Sequence, residues 1–286
     1  MWKVSYANET VASSSDEDDH VYMELIAEQR TPGWFQARKF RCTASKTSVF
    51  VTGKSQFSEL EYEINLLTGR ELPPPPNHAM QMGTLNEEPT IEYYCKSTGF
   101  THREVSLCVP IWHDEQLEDN FHANWFIAGS PDGIISKGNL VGNLEVKYPQ
   151  QLYRPLREKL FKLREFHPRT SYGKSGIKGV DNKSHIYVSH YMQMQQCMAI
   201  TGNKWCSYVV GNAKKDSNNP MYTEKVKFRS NYFWNFMYPE LVVFVENYIK
   251  PRMSKKDEKA FRSGVDEIIK IYKASLKKKT SYAPEE

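Results

Sequence analysis

Length, composition and charge describe an ordinary globular protein. The chain has 286 residues, of which 40% are hydrophobic and 25% are charged, and these values exclude collagen, coiled-coil and disordered chains. A net charge of +4 is too small to indicate nucleic-acid binding by itself.

The first 19 residues are polar and end in an acidic run, Ser13-Ser14-Ser15-Asp16-Glu17-Asp18-Asp19. They contain no apolar core like that of a signal peptide, and no apolar run in the chain approaches the roughly 18 residues of a membrane helix. We therefore expect an intracellular protein of the cytoplasm or nucleus, without a membrane contact. Its organisation would be a flexible acidic segment at 1–19 and a single domain at 20–286.

The segment before Glu104 predicts mainly helices, separated by proline and glycine breaks. In chain order the sequence predicts a helix at 20–29, a break at Thr31-Pro32-Gly33 and a helix from Trp34. A further helix follows, with Thr43 or Ser45 as its N-cap. A proline spacer at 73–76 then precedes a helix at 80–94, which Pro89 either kinks or starts.

From Glu104 onward, strand-like runs are separated by Gly, Asn and Asp turns, which predicts an antiparallel meander. These runs are 105–111, 124–128, 133–136 and 140–146. The sequence then predicts a basic helix at 153–166, a Gly/Lys/Ser loop at 169–185, a helix at 185–201, strands at 205–211 and 222–228, and helices at 234–249 and 256–277. This order predicts one α/β domain with a central mixed sheet flanked by helices, and with helical extensions at both ends.

One pattern carries chemistry, Ser130-Pro131-Asp132-Gly133 followed by Leu144-Glu145-Val146-Lys147. Pro-Asp-Gly ends a strand in a tight turn, and alternation on the next strand places Glu145 and Lys147 on one face and Val146 on the other. Two carboxylates form a hard oxygen site for Mg²⁺ or Mn²⁺, to which the Val146 carbonyl could add a ligand. Such a metal polarises a phosphodiester, and a neighbouring lysine orients water and offsets the developing charge.

The same residues also have a purely structural interpretation, because Pro131-Asp132-Gly133 is an ordinary turn and Glu145 and Lys147 could be a solvated strand face. Competing chemistries have less support. Five scattered cysteines without a close pair argue against a zinc site or a disulfide framework, and the histidine spacings match no zinc pattern. The sequence contains neither a Ser-His-Asp motif nor a phosphate-binding Gly-rich loop for ATP.

Four blocks in a fixed order resemble the lambda-exonuclease-like family, also called YqaJ-type viral recombinases, within the PD-(D/E)XK nucleases. The blocks are Gly33-Trp34-Phe35-Gln36-Ala37-Arg38 with Thr43-Ala44-Ser45, Gly83-Thr84-Leu85-Asn86-Glu87-Glu88-Pro89, Gly129-Ser130-Pro131-Asp132-Gly133-Ile134-Ile135 with Leu144-Glu145-Val146-Lys147, and Tyr191-Met192-Gln193-Met194-Gln195. Each block is short, but their joint order is specific. The resemblance implies a restriction-endonuclease-like core, with its catalytic part at about residues 80–230.

By that resemblance, Asp132 and Glu145 bind the metals and Lys147 assists the attacking water. The resemblance adds Glu87 as a further acidic group at the metal site, beside the Val146 carbonyl. Glu88 follows directly in the chain, so the register of this acidic group stays open.

The resemblance also implies a pocket for a terminal 5′-phosphate. Arg38, Ser45 and Ser130 would line it, because a guanidinium binds phosphate bidentately and hydroxyls add donors. Gln193 and Gln195 are both candidates, and their spacing of two points them to different helix faces. We expect one of the two to reach the site and favour Gln193.

Lys174 and Lys178 lie in the glycine-rich loop at 169–185. A backbone with little steric bulk can approach phosphates closely, while its lysines release counterions, so this loop is a candidate DNA contact. The alternative is a flexible solvated loop.

The resemblance implies 5′ to 3′ digestion of one strand of linear duplex DNA from a 5′-phosphorylated end, which leaves a 3′ single strand for recombination or repair. It also implies two Mg²⁺ ions, for which Mn²⁺ substitutes, a homotrimer, and a single-strand annealing protein as partner. Two alternatives remain open, a structure-specific endonuclease on the same fold and a non-catalytic DNA-binding module. RNA stays open as a secondary substrate, because metal-assisted hydrolysis does not distinguish the sugars.

Overall fold

The computed structural model describes residues 1–6, 21–52, 57–148, 186–211 and 221–280. The strands are β1 (Trp2–Tyr6), β2 (Val21–Leu25), β3 (Cys42–Thr43), β4 (Thr101–Arg103), β5 (Cys108–Pro110), β6 (Ile127–Ala128), β7 (Gly133–Lys137), β8 (Leu140–Lys147), β9 (Trp205–Gly211) and β10 (Met221–Lys227). The helices are α1 (Pro32–Arg38), α2 (Thr47–Thr52), α3 (Phe57–Thr68), α4 (His78–Thr98), α5 (Asp114–Glu118), α6 (Val188–Thr201), α7 (Ser230–Tyr232), α8 (Tyr238–Phe244) and α9 (Lys255–Thr280). The 3₁₀ turns are Ala44–Lys46, Ala123–Phe126 and Lys250–Arg252, and the π-helical turns are Phe233–Met237 and Val245–Ile249.

The central sheet has five strands in the order β10-β9-β8-β7-β4. β8 and β9 pair in parallel, and the other neighbours pair antiparallel, so the sheet is mixed. Parallel neighbours need a crossover connection, and α6 lies within the connection from β8 to β9. The predicted mixed sheet flanked by helices is confirmed.

Helices cover both faces of this sheet. On one face, Ile91 and Tyr94 of α4 pack against Leu144 and Val146 of β8. On the other face, apolar residues of α6 pack against Tyr208 and its neighbours on β9. The alternation of side chains along β8 therefore puts Leu144 and Val146 under α4, and Glu145 on the α6 side.

Local sequence signals set the ends of the main helices. The Asn77 side chain accepts a hydrogen bond from Met80 N at 3.0 Å and caps the start of α4. Gly99 and Gly202 end α4 and α6 with φ of 74° and 75°, the left-handed conformation that glycine adopts without steric cost. Pro89 lies inside α4, which begins eleven residues earlier at His78, so the proline does not start the helix.

The predicted helix at 20–29 is wrong, because Val21–Leu25 forms strand β2. β2 is the middle strand of a second sheet, ordered β1-β2-β5, and pairs antiparallel with both neighbours. Its Glu24 is buried and forms ion pairs with Lys3 and Arg103. Pairing on both sides and this buried ion cluster are long-range contacts, and they override a local helix preference.

Strand β1 also changes the expected organisation of the N-terminus. Trp2–Tyr6 was grouped with the flexible segment at 1–19, but it is ordered by pairing with β2. The acidic run at 13–19 lies outside the described residues.

The predicted meander is correct only in part. β4, β7 and β8 are consecutive antiparallel neighbours in the central sheet, but β5 belongs to the sheet of β1 and β2. β6 pairs in parallel with β3, and residues 123–126 before it form a 3₁₀ turn, not a strand. β4 was not predicted.

The later elements follow the prediction closely for α6, β9, β10 and α9, with small differences at their ends. The predicted helix at 153–166 and the loop at 169–185 lie outside the residues that the structure describes, as residue 185 itself does. Over the described ranges, no helix is both long enough and apolar enough to cross a membrane.

Candidate active site

The turn before β7 and the carboxyl end of β8 form the centre of the candidate site. Asp132 N donates to Leu144 O at 3.1 Å, and Val146 N donates to Asp132 Oδ2 at 2.6 Å. The Asp132 carboxylate is therefore attached to the backbone of the strand that carries Glu145. This places both carboxylates of the predicted motif beside one another.

Two residues outside the sequence motif, Gln29 and His102, hold this turn together with Gly133 of the motif. Gln29 Nε2 donates to Pro131 O at 3.4 Å and to Val105 O at 2.7 Å. His102 Nε2 lies 3.0 Å from Asp132 O. Gly133 has no space for a side chain, since a Cβ there would lie 2.1 Å from His102 Nε2. The glycine thus allows the imidazole to reach the Asp132 carbonyl.

Glu145 and Lys147 lie on the same face of β8, as predicted from strand alternation. Glu145 is 1% exposed, and its Oε1 forms an ion pair with Lys147 Nζ. Among the described residues, Oε1 has no further partner. Lys147 Nζ also lies 3.4 Å from Gln193 Oε1, so α6 helps to orient the ammonium group.

Burial dominates the electrostatics of the two carboxylates. Burial, and then the nearby Glu145 charge, raise the pKa of Asp132 well above its ordinary value. Burial also raises the pKa of Glu145, although the Lys147 ammonium opposes the shift. For Lys147, burial alone would lower the pKa, but the charges of Glu145 and Asp132 outweigh it and raise the pKa. The lysine is therefore protonated, and burial disfavours the charged forms of both carboxyl groups.

Glu87 lies on the side of α4 that faces this cluster, while Glu88 is exposed. The Glu87 charge contributes to the raised pKa of both Asp132 and Glu145. Its Oε2 forms an ion pair with Arg30 Nη2 at 2.7 Å. Of the two neighbouring glutamates, Glu87 is thus the one near the site.

The residues present fit a divalent cation. Asp132 and Glu145 are buried and have raised pKa values, and Glu145 Oε1 has an incomplete set of hydrogen-bond partners. A bound cation would stabilise the charged forms of both carboxyl groups. Within the described ranges, no three acidic, histidine or cysteine side chains are grouped for direct metal binding, and Arg30 engages Glu87. Mg²⁺ needs only one or two carboxylates besides water and substrate oxygens, so Asp132 and Glu145 with the Val146 carbonyl form a sufficient protein set.

The candidate phosphate pocket is assembled by β3 and β6. These strands run parallel, with Thr43 opposite Ala128, so the residues that follow them leave in the same direction. Ser45 is exposed in the turn after β3, and Ser130 follows β6. Ser130 Oγ is buried and has no hydrogen-bond partner among the described residues. An unpartnered hydroxyl is costly, and a bound oxyanion would satisfy it.

Arg38 is fixed beside this pocket. Its guanidinium lies 4.0 Å from the centre of the Trp34 ring, and Nη2 donates to Thr43 Oγ1 at 3.2 Å. Burial lowers the pKa of Arg38 to about 10, so the group keeps its charge at neutral pH. A stacked guanidinium with a single hydrogen bond to a hydroxyl retains donors for an anion.

Gln193 and Gln195 have different environments, as their spacing predicts. Gln193 contacts Lys147. Gln195 is fully buried, donates to Lys227 O at 2.9 Å and accepts from Arg229 N at 2.8 Å. The Gln195 amide thus bonds the backbone after β10, and not a residue of the Asp132 cluster.

His190 is a further residue near the site that the sequence analysis did not select. Its Nδ1 lies 2.9 Å from the hydroxyl of Tyr208, a residue paired with Glu145 across β8 and β9. Burial, and then the Lys147 charge, lower the pKa of His190 to about 3, so the ring is neutral. The predicted DNA contacts Lys174 and Lys178 lie outside the described residues.

The sheet topology and the Asp132, Glu145 and Lys147 arrangement define the class of protein. A mixed α/β core with a turn aspartate, followed by a Glu-x-Lys strand that packs on a helix, is the PD-(D/E)XK nuclease fold. The chain belongs to the family of the YqaJ-like viral recombinase domain, which matches residues 33–204. The resemblance stated from the four sequence blocks is therefore confirmed.

Two solved structures of an alkaline exonuclease from Laribacter hongkongensis are similar to this chain. One has a TM-score of 0.51 and the other, a complex with dAMP, a TM-score of 0.52. Each is 22% identical to this chain, and each match covers 87% of this chain and 99% of the other. At this identity the likeness concerns the fold. No curated protein sequence matches the chain.

Proposed function

We propose that this protein is a metal-dependent deoxyribonuclease that digests one strand of linear duplex DNA from a 5′-phosphorylated end, in the 5′ to 3′ direction. The observation that carries the proposal is the buried cluster of Asp132, Glu145 and Lys147, whose carboxylates have raised pKa values. Such a cluster is expensive in a purely structural role, since buried carboxylates are destabilising without a compensating cation. Membership of the viral recombinase family and the fold shared with an alkaline exonuclease support the same conclusion.

Each residue has a distinct part in the proposed reaction. Asp132, Glu145 and the Val146 carbonyl hold a divalent cation, with Glu87 as an additional acidic group. The proposed cation is Mg²⁺, for which Mn²⁺ substitutes, and the full site holds two ions. When bound, they supply Lewis-acid polarisation of the phosphodiester. Lys147 orients the attacking water and offsets negative charge in the transition state, and Gln193 holds its ammonium group in place.

A phosphate pocket at one side of the metal site accounts for the preference that we propose for 5′-phosphorylated ends. Arg38, Ser45 and Ser130 supply the donors, and the unpartnered Ser130 hydroxyl is satisfied when a phosphate binds. Anchoring of the terminal phosphate would restrict the position of the DNA end and so favour attack on its first phosphodiester. The product would be a 3′ single strand for recombination or repair.

The proposed partners follow from the same activity. Duplex DNA ends are the substrate, with Lys174 and Lys178 as further contacts to its backbone. The family resemblance also supports a homotrimer and a single-strand annealing protein that takes up the product strand.

The test compares wild type with Lys147→Ala on linear duplex DNA with 5′-phosphates and on covalently closed circular DNA, both with Mg²⁺. Lys137→Ala is the matched control, since Lys137 lies at the other end of the β7–β8 hairpin and bonds Thr98 O. We expect wild type and Lys137→Ala to degrade only the linear substrate, and Lys147→Ala to lose roughly 10²-fold or more in rate. Cutting of the circle would establish an endonuclease instead, and the absence of Lys147-dependent cutting of either substrate would favour a non-catalytic binding module.

A further inference from the structure

Arg30 pairs with an acidic group of the candidate metal site, and the proposed reaction does not use this contact. Its Nη2 lies 2.7 Å from Glu87 Oε2, in an ion pair whose side chains are 51% and 26% exposed. The guanidinium is therefore open to solvent on one side while it engages an acidic group of the metal site on the other.

The backbone around Arg30 is held in an unusual conformation. Arg30 has φ of 66°, in the left-handed region that residues other than glycine rarely adopt. Both neighbours are anchored: the Gln29 amide bonds Val105 O and Pro131 O, and Thr31 Oγ1 donates to Glu28 O at 2.8 Å and caps α1. Strain of this kind persists when the surroundings impose it, and here it directs the guanidinium towards Glu87.

The charges around Glu87 make its ion pair exchangeable. Asp132, Glu145 and Glu87 bring three carboxyl groups to the cluster, against two cationic side chains, Lys147 and Arg30. A divalent cation adds two positive charges to the same cluster. Glu87 cannot serve the cation fully while it is paired with Arg30, so the two compete for one carboxylate.

We propose that Arg30 is an exchangeable counter-ion: it pairs with Glu87 when the metal is absent, and metal binding releases its guanidinium to contact a phosphate of the DNA backbone. This inference rests on the proposed metal-dependent nuclease function. It adds an order of events, in which metal binding at Glu87 precedes and strengthens the hold on DNA. A guanidinium suits this role, because it is always charged and pairs equally well with carboxylate and phosphate.

The first experiment measures Mn²⁺ affinity without DNA, by electron paramagnetic resonance or calorimetry, for wild type, Arg30→Gln and Arg30→Gly. We expect both variants to bind Mn²⁺ roughly three- to fivefold more tightly, as loss of a competing half-exposed ion pair allows. Arg30→Gly also suits the left-handed φ, so it removes the guanidinium without adding strain. Unchanged or weaker Mn²⁺ binding in both variants would overturn the exchange.

The matched control is Arg262→Gln. Arg262 forms an ion pair of similar length and exposure with Glu258, at 2.8 Å, within α9. Its other contacts are with Asn120, Asp119 and Phe121. We expect no change in Mn²⁺ affinity for this variant, so a rise limited to the Arg30 variants reports the release of Glu87.

The second experiment measures binding of 5′-phosphorylated duplex DNA by fluorescence anisotropy, in a Lys147→Ala background that prevents digestion, with Mn²⁺ and with EDTA. We expect Arg30→Gly to weaken DNA binding with Mn²⁺ and to leave it nearly unchanged in EDTA. With Mn²⁺ the slope of log affinity against log salt should fall by about 0.9, the value for one phosphate contact. An equal loss in both conditions would identify a permanent phosphate contact and overturn the exchange.

The two proposals fail separately. If Lys147→Ala keeps full nuclease activity, the proposed function fails regardless of the Arg30 variants. If Mn²⁺ affinity does not rise on removal of Arg30 while Lys147→Ala is inactive, the exchange fails and the nuclease assignment stands.

Discussion

The contact between Gly133 and His102 predicts a large effect for Gly133→Ala. A Cβ at position 133 would lie 2.1 Å from His102 Nε2 and 3.0 Å from Arg103 O. The imidazole must move away and lose its hydrogen bond to Asp132 O, which is 3.0 Å long. The turn that carries the Asp132 carboxylate then loses one of the contacts that hold it.

The magnitude follows from two contributions. Overpacking typically costs about 1–3 kcal/mol, and a lost hydrogen bond costs about 1 kcal/mol. We therefore expect Gly133→Ala to lower the free energy of unfolding by roughly 2–4 kcal/mol, and to lower nuclease activity because Asp132 is displaced. Urea unfolding of the metal-free protein measures the first quantity, and digestion of linear duplex DNA measures the second.

A double-mutant cycle with His102→Ala tests the cause. If the clash with the imidazole destabilises Gly133→Ala, removing the imidazole relieves it, and the double mutant is more stable than Gly133→Ala alone. Gly83→Ala is the matched control: Gly83 is inside α4 with open space around its Cβ position, so we expect stabilisation by about 0.5–1 kcal/mol. Strictly additive losses at Gly133 and His102 would refute the reasoning.

Two further predictions separate structural from functional roles. Gln195→Ala removes two part-buried hydrogen bonds, one to Lys227 O and one from Arg229 N, and should cost roughly 1–3 kcal/mol in urea unfolding. Gln193→Ala should lower the nuclease rate with less effect on stability, and the reverse pattern would assign the site to Gln195. Ser130→Ala removes a buried hydroxyl without a partner, so it should stabilise the protein by roughly 1 kcal/mol while it reduces the preference for 5′-phosphorylated over 5′-hydroxyl ends. An unchanged end preference would exclude Ser130 from the phosphate pocket.

The centre of the site could be predicted from the sequence because its geometry is local. Asp132, Glu145 and Lys147 belong to one hairpin, and strand alternation alone puts the last two on the same face. The spacing of Gln193 and Gln195 on a helix also predicted that they have different environments, but it could not tell which of them reaches the site. The fold class followed from the order of helices and strands, which limits the arrangements that bury all of them.

The residues that hold this centre could not be predicted, because they are distant in the chain. Gln29 lies 102 positions before Pro131, and His102 lies 30 positions before Asp132. A lone glutamine or histidine has no spacing pattern that links it to a turn so far away. The helix prediction for β2 was wrong for a similar reason. Its partner strands β1 and β5 precede and follow it in the sequence, and Glu24 pairs with Lys3 and Arg103, which are distant in the chain.

The supporting residues suggest why the site tolerates so much buried charge. Gln29 bonds the carbonyl of the neighbouring Pro131, His102 bonds the carbonyl of Asp132 itself, and Val146 N bonds its carboxylate. Repulsion from Glu145 therefore cannot be relieved by movement of the turn. The cost then appears as raised pKa values instead of a displaced side chain. A cation that binds between these two carboxyl groups relieves their repulsion. It binds more tightly because the carboxyl groups are already in position and need no rearrangement. A variant that loosens the turn should therefore weaken metal binding, although it changes no metal ligand. His102 and Gly133 thus contribute to metal binding as well as to the stability of the fold.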